Sequence, residues 1–328
     1  MTGGLLALLS AVTFALNQAL ARRGVLTGSV IQALCITVPL GVPMFLLIAL
    51  AIGQIGDIFT FSATSIFWLS LAGINHFIAG RFFNYLGVKA AGTNITGTVQ
   101  QLDIVVSLTL AVWLLGEYLT PLRAAGIALI MFAPLLTLKR DIASAKNNGA
   151  GQLAAKFTPD LLKGYICAAL AGLAYGISPI LVRAGLQDAS PGASMAGGAI
   201  SYAAASLCLL VIVVATRQVR HVGAIEPRNA AFFASAGVSV GAAQVFRYAA
   251  LSMAPVAVVA PILRLSLIFR IVFSWWLNRD HEVFSKGIVL ATLLSLLGAF
   301  MVSLSSEFIQ SVINLPSWAR WMVELKWP

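Results

Sequence analysis

Residues 92–120 read GTNITGTVQQLDIVVSLTLAVWLLGEYLT, and residues 255–285 read PVAVVAPILRLSLIFRIVFSWWLNRDHEVFS. Each stretch contains an apolar run long enough to cross a bilayer as a helix, which takes about 20 residues. The first run nevertheless contains Asp103, and the second contains Arg264 and Arg270. A charge near the bilayer centre costs on the order of 2.5–3.5 kcal/mol, so such residues usually face a bundle interior or a water-filled cavity. The two stretches therefore predict spanning helices that line a polar path.

The first stretch also carries a polar stripe. Thr96, Gln100, Asp103 and Ser107 recur at helical spacing and share one face of the predicted helix. Lipid does not solvate such a stripe, whereas a cavity does. We therefore predict that Gln100 and Asp103 contact substrate.

The composition indicates an all-α polytopic membrane protein. Hydrophobic residues make up 59% of the 328 residues and charged residues only 10%, against roughly 25% charged in soluble domains. The net charge of +10 is explained by Lys and Arg in cytoplasmic loops, so nucleic acid is not an expected partner. The expected partner is the lipid bilayer.

The hydropathy pattern predicts about ten transmembrane helices and a tail. The helices fall at about residues 3–21, 30–52, 64–85, 93–115, 119–138, 164–182, 193–215, 230–251, 256–277 and 287–304. Pro39 and Pro43 are expected to kink the second, because each removes a backbone donor. The tail carries Trp318 and Trp321 on one face and is predicted to be an amphipathic helix on the membrane surface.

The two halves of the chain match each other. Glu117-x-x-Thr120 corresponds to Glu282-x-x-Ser285, for example. Five spans per half is an odd number, so the second half enters the membrane from the opposite side, as in the inverted repeats of many transporters. The expected organisation is a first five-helix repeat over residues 1–140, a polar connecting loop over 141–162, a second repeat over 163–305 and the tail over 306–328.

The segments YLGVKAAGTNITGTVQQL and LLGEYLTPLRAAGIALIMFAP, with YAALSMAPVAVVAPILRL and HEVFSKGIVLATLLSLLGA in the second half, resemble the EamA-type transporters of the drug/metabolite transporter superfamily. The resemblance implies ten helices, alternating access and a central cavity lined by helices that include 3, 4, 8 and 9. Two features depart from the family pattern: His281 replaces the usual Gly before Glu282, and the ninth helix is rich in Arg. The resemblance therefore does not define the substrate.

Arginine is the second candidate component of a site, because guanidinium groups suit carboxylate and phosphate. Arg264 and Arg270 lie deep in helix 9 and are predicted to bind substrate, but they are six residues apart, about 240° around a helix, and should not share one narrow face. Arg81 and Arg247 lie near helix ends, where snorkelling to the interface is at least as good an interpretation.

The remaining candidate substrate contacts are Asn17, within helix 1, and the aromatic residues Tyr85 and Tyr248, for which core or lipid packing is the alternative. Asp103 is expected either to pair with an intramembrane arginine or to bind and release a coupled proton. Glu117 and Glu282 are expected to cap helices 5 and 10. The three histidines lie in separate segments without further ligands nearby, so we predict no metal site.

These features predict a secondary active transporter of a small metabolite, anionic or zwitterionic, in the inner membrane of a bacterium. No P-loop, HExxH or GxSxG motif is present, so ATP use, cofactors and enzymatic activity are not expected. The protein is expected to be a monomer or homodimer. The alternative function is that of a non-transporting scaffold or a lipid-binding or lipid-translocating protein, and an intramembrane enzyme comes third.

The orientation in the membrane is predicted differently by two arguments. Lys and Arg, Arg22 among them, are concentrated in the central loop and on that side of the membrane, which places the central loop in the cytoplasm and both termini outside. The family resemblance implies cytoplasmic termini instead. The charge bias is large and spread over several loops, so we favour it.

Overall fold

The fold is described from a computed structural model that covers residues 2–115, 118–133, 158–187, 193–254, 256–303 and 321–325. For Tyr248 and a few other residues within these ranges only the backbone is described. Glu117, most of the predicted connecting loop and most of the predicted tail lie outside this part of the chain. Within the tail, Trp321–Glu324 is helical.

Helices dominate the described chain. Uninterrupted helices are α1 (Thr2–Val25), α5 (Pro121–Ala133), α6 (Leu161–Leu186), α7 (Ser194–Ala215), α8 (Pro227–Met253) and α10 (Lys286–Ser303). Four others are interrupted: α2 (Val30–Thr37 and Gly41–Ala51), α3 (Ala63–Gly73, a π-helical turn at Ile74–Gly80, and Arg81–Ala91), α4 (Thr93–Gln100 and Leu102–Leu115) and α9 (Val256–Arg264 and Ser266–Asn278).

Eight helices of the described residues are long and apolar enough to cross a membrane, namely α1 to α4, α6 to α8 and α10. The chain is therefore a multi-pass membrane protein, as its composition predicted. The two other predicted spans differ. The described part of α5 has 13 residues, and α9 consists of segments of 9 and 13 residues.

Small residues let α1 and α8 lie against each other. Ala7, Ala11 and Ala15 of α1 are completely buried, and small side chains allow close approach where no hydrophobic effect drives helices together in lipid. Two polar side chains of α1 add bonds to carbonyl oxygens of α8: Ser10 Oγ donates to Ala243 and Asn17 Nδ2 to Ala236, both over 2.7 Å. This pair joins the first half of the chain to the second.

The predicted kink in helix 2 is confirmed as a break between Thr37 and Gly41. Pro39 has no N–H to continue the helix. Around it the backbone bonds shorten to three-residue spacing, from Gly41 N to Val38 O (3.0 Å) and from Val42 N to Pro39 O (3.1 Å). The carbonyl of Thr37 is thereby released from the helix.

The breaks in α4 and α9 were not predicted. They lie at Gln101 and Leu265, neither of which is proline or glycine. The amide of Gln101 bonds to Thr98 O (3.4 Å) and that of Leu265 to Ile262 O (3.0 Å), which tightens the chain to 3₁₀ spacing at both places. Both breaks lie within the stretches that carry the intramembrane charges.

Candidate functional site

The two broken helices bring four of the predicted site residues into one cluster. Arg264 Nη1 lies 3.5 Å from Asp103 Oδ2 and donates to Gln101 Oε1 over 3.4 Å. Arg270 Nη1 donates to Gln100 Oε1 over 3.4 Å. Gln100, Asp103, Arg264 and Arg270 thus meet where α4 faces α9, together with Gln101, which the sequence analysis did not select.

The breaks place two of these charges at favourable helix ends. Asp103 lies in the first turn of the second segment of α4, and Arg264 lies in the last turn of the first segment of α9. A helix carries partial positive charge at its N-terminus and partial negative charge at its C-terminus, so each charge is stabilised where it lies. A continuous helix would not provide these ends in the middle of a span.

The break at Leu265 also corrects the prediction that Arg264 and Arg270 do not share a face. That prediction assumed a straight helix with about 100° per residue. The helix is instead interrupted by a 3₁₀ turn at Leu265, and the two arginines contact consecutive residues of α4, Gln101 and Gln100. The two guanidinium groups therefore belong to one site.

Asp103 forms an ion pair with Arg264, which is the first of the two alternatives given above. The pair is loose: it measures 3.5 Å, and its side chains are 25% and 30% exposed. Asp103 Oδ1 and Arg270 Nε are buried without a hydrogen-bond partner among the described residues. The cluster thus offers one buried acceptor and one buried donor beside an ion pair that a ligand can reach.

The other predicted site residues have different neighbours. Asn17 binds the carbonyl of Ala236 in the α1–α8 contact, and Tyr85, which is 1% exposed, donates to Thr37 Oγ1 over 3.4 Å. The side chain of Tyr248 lies outside the described set. The structure therefore does not bring Asn17 or Tyr85 into contact with the cluster.

Arg81 does not snorkel to an interface, contrary to that interpretation. It is 6% exposed, and its Nη1 donates to the released carbonyl of Thr37 (3.1 Å) and its Nη2 to the hydroxyl of Tyr202 (3.2 Å). Its guanidinium also lies 5.2 Å from the ring centre of Phe77. The sequence could not show this, because the acceptor exists only where α2 is broken. Arg247, in contrast, is exposed.

A second ion pair, which is completely buried, lies at one end of the bundle and was not predicted. Arg22, placed among the loop charges by the sequence, is fully buried, and its Nε lies 3.5 Å from Glu282 Oε1. Arg22 also donates to the carbonyls of Val88, Lys89 and His281. These contacts join α1, the end of α3 and the loop after α9.

The sequence predicted that Glu282 caps helix 10. In the structure Glu282 caps α4 instead. Its carboxylate accepts from Thr93 N (2.7 Å), Thr93 Oγ1 (2.8 Å) and Asn94 N (3.4 Å). The two amides belong to the first turn of α4, whose N–H groups have no partner within the helix. Gly92 makes room for it: its φ is +86°, and a Cβ there would lie 2.4 Å from Glu282 Oε2. Burial raises the pKa of Glu282, and Arg22 and the bonds from Thr93 act in the opposite direction.

Comparison with known proteins identifies the family. The profile of the EamA-like transporter family matches residues 1–139 and 162–304, which is most of the chain. The chain belongs to the EamA-like transporter family. A solved crystal structure of another protein resembles this EamA-like transporter with a TM-score of 0.58 over 91% of this chain and 95% of that one. The two sequences are 19% identical, so this likeness concerns the fold alone. No curated protein matches the chain.

Proposed function

We propose that this member of the EamA-like family is a secondary active transporter that moves a small anionic or zwitterionic metabolite across the bacterial inner membrane. The observation that carries the proposal is the cluster of Asp103, Arg264 and Arg270 at the facing breaks of α4 and α9. Intramembrane ionisable groups usually mark a substrate or ion path. Broken helices that point their ends at such groups are a recurring element of transporter sites.

Alternating access between two inverted five-helix repeats is the mechanism that these features support. The alignment that matches Glu117 with Glu282 places Gln101 opposite Ser266, the residue after the break in α9. Corresponding helices of the two halves are thus interrupted at corresponding positions, as expected for a site between repeats. The buried Arg22–Glu282 network joins helices of both halves at one end of the bundle, where a closed state needs such contacts.

In this mechanism substrate enters beside the loose Asp103–Arg264 pair and competes for Arg264. Asp103 is the candidate site of a coupled proton in this mechanism, because it loses its counter-ion when Arg264 turns to the substrate. Proton binding and substrate binding are then linked at the same pair. No step requires ATP or a bound cofactor.

A lipid-binding role is the second candidate function, and one surface feature favours it. A shallow groove of about 420 Å³ lies along α10 and is lined by Phe284, Val289, Leu290 and Leu293, together with Lys286. Apolar walls beside an ammonium group suit an acyl chain and an anionic headgroup. A protein with only this role binds lipid and transports no soluble metabolite.

The test is uptake by purified protein in liposomes, measured against pH for the wild type, Arg264→Gln and Asp103→Asn. We expect Arg264→Gln to lose transport and to bind the anionic ligand more weakly, because it removes the guanidinium. Asp103→Asn should remove the pH dependence more than it reduces binding. Wild-type flux with a wild-type pH profile in both folded variants would exclude these charges from the mechanism. Absence of flux for any metabolite would favour the lipid-binding role.

A further inference from the structure

Arg270 differs from Arg264 in having no carboxylate partner in the part of the chain that the structure describes. Within the described residues no carboxylate oxygen lies within 4.0 Å of its guanidinium, whereas Arg264 lies 3.5 Å from Asp103. Arg270 Nη1 donates to the neutral amide of Gln100 over 3.4 Å, and its Nε is buried without a hydrogen bond. Arg270 is therefore the charge in this cluster whose donors are least satisfied.

The charges of the cluster leave an excess that suits a particular ligand. Asp103 compensates only one of the two arginines, so the sum of the three side chains is positive. A guanidinium has five donors in a planar fork that matches a carboxylate or a phosphate. We propose that Arg270 binds the carboxylate or phosphate of an anionic substrate, and that Gly97 determines specificity by fixing the position of the Arg270 guanidinium. This inference rests on the proposed transport function and assigns the substrate class and the residue that recognises it.

Gly97 lies directly under the Arg270 side chain. A Cβ at position 97 would lie 2.5 Å from Arg270 Nη1, 3.3 Å from Cδ and 3.4 Å from Cζ. The optimal van der Waals separation of carbon atoms is about 3.5–4.0 Å, so any side chain at position 97 displaces the Arg270 guanidinium by about 1 Å. The absence of a side chain there allows Arg270 to lie across α4 and reach Gln100. Gly97 is thus a positioning residue.

The Gly97→Ala variant tests the position of the Arg270 guanidinium separately from its charge. The nearest atom to the new methyl group is the end of a flexible side chain, so the helix is expected to fold and Arg270 to keep its charge but move. Bidentate binding of a planar anion depends on the orientation of the fork. We expect the dissociation constant for an anionic ligand to rise at least tenfold in Gly97→Ala and further in Arg270→Gln. The constant of Arg270→Lys should lie between those of the wild type and Arg270→Gln.

The binding experiment uses the full-length protein in detergent and measures thermal shift and ligand titration. The probes are pyruvate, benzoate and glycerol 3-phosphate, each beside its neutral counterpart: pyruvamide, benzamide and glycerol. A ligand that binds only the folded state raises the melting temperature. We expect at least one anion, and not its neutral counterpart, to stabilise the wild type, and the shift to disappear in Gly97→Ala and Arg270→Gln.

Two control variants test whether the effects are specific. In Gly4→Ala the new Cβ would lie at an ordinary 3.6 Å from Ile262 Cδ1, and Arg279→Gln changes an exposed arginine that stacks on Trp275. Both should bind the anion as the wild type does. The proposal is wrong if no anion stabilises the wild type, or if Arg270→Gln and Gly97→Ala bind the anion as tightly as the controls.

Flux through liposomes distinguishes failure of this inference from failure of the proposed function. An anion that binds through Arg270 but is never transported would refute the transport function and leave the site assigned. Transport that continues in Arg270→Gln with unchanged half-saturation would refute the role of Arg270 and leave the transport function intact.

Discussion

Glu282 has partners that its neighbours in the sequence do not suggest. Its carboxylate caps α4, 189 residues earlier in the chain, and pairs with Arg22 at the end of α1. A capping residue normally lies within a few residues of the helix start, so helix 10 was the expected partner of Glu282. A contact between the two halves of the chain has no such signature.

The Arg22–Glu282 pair gives a stability prediction. Both side chains are completely buried, so Glu282→Gln removes one partner of a buried ion pair, which typically costs about 3–5 kcal/mol. Glutamine retains an oxygen for Thr93, so the loss comes mainly from the charge. We expect a clear fall in the melting temperature of the protein in detergent.

The control for this prediction is Asp280→Asn, which changes an exposed carboxylate two residues away and should be neutral. Adding Arg22→Met to Glu282→Gln removes the buried guanidinium as well, so the double variant should be no less stable than Glu282→Gln alone. If the melting temperature of Glu282→Gln equals that of the wild type, Arg22 and Glu282 do not form an ion pair in the protein.

The intramembrane charges were, by contrast, predictable from the cost of placing them in lipid. Asp103, Arg264 and Arg270 were selected on that argument, and they meet in one cluster. The sequence could not give their pairing, because it depends on how α9 faces α4. Gln101 was missed because it lies off the helical stripe of Gln100 and Asp103, and only the break in α4 brings it to Arg264.

Among the helices, α2 shows how an interruption leaves a carbonyl that requires a hydrogen-bond donor from another helix. Pro39 breaks the helix, and the carbonyl of Thr37 at the end of the first segment accepts a bond from Arg81 of α3. A cation at the negative end of a helix is stabilised by the helix dipole. This arrangement explains a buried arginine near the π-helical turn of α3 without assigning it a substrate.

The role of Arg81 can be tested by Arg81→Gln. Hydrogen bonds to charged groups contribute about 1.5–3 kcal/mol, so we expect a loss of stability of that order, measured as a lower melting temperature. Arg220→Gln, at an exposed arginine after α7, is the matched control and should be neutral. A variant of wild-type stability that no longer transports would show that Arg81 acts on substrate instead.

The breaks in α4 and α9 could not be predicted from the sequence, unlike the break in α2. The break in α2 was predicted because proline removes a backbone donor, a purely local cause. Gln101 and Leu265 carry no such cause, and the helix ends formed there are stabilised by Asp103 and Arg264 across the interface. The sequence thus predicted where these helices lie, but not that they are divided.

For the whole molecule, the buried position of Arg22 changes the charge count used for orientation. Arg22 is part of a structural network, so it does not contribute to the loop charges that the positive-inside rule counts. The bias nevertheless persists without it, because Lys146 and Lys156 lie in the polar connecting loop and Arg217 and Arg220 follow α7. The prediction of a cytoplasmic central loop therefore does not depend on Arg22.

Reporter insertions at two positions test this orientation. An enzyme that is active only in the cytoplasm should give signal when inserted near Asn147 and none near Ser190, because α6 separates the two positions. A reporter active only in the periplasm should give the opposite pattern. Signals reversed at both positions would show that the termini are cytoplasmic, as the family resemblance implies.

The same insertions determine which side the Arg22–Glu282 network closes. The network lies at the end of α3, where Asp160 N, just before α6, donates to Ala90 O over 2.9 Å. It is therefore on the side of the central connector. With cytoplasmic signal at Asn147, the network joins the two halves at the cytoplasmic face, and Glu282→Gln should make a cysteine substituted for Thr93 more accessible to a thiol reagent from that face. Labelling that increases only from the outer face would contradict the orientation and agree with the reversed reporter pattern.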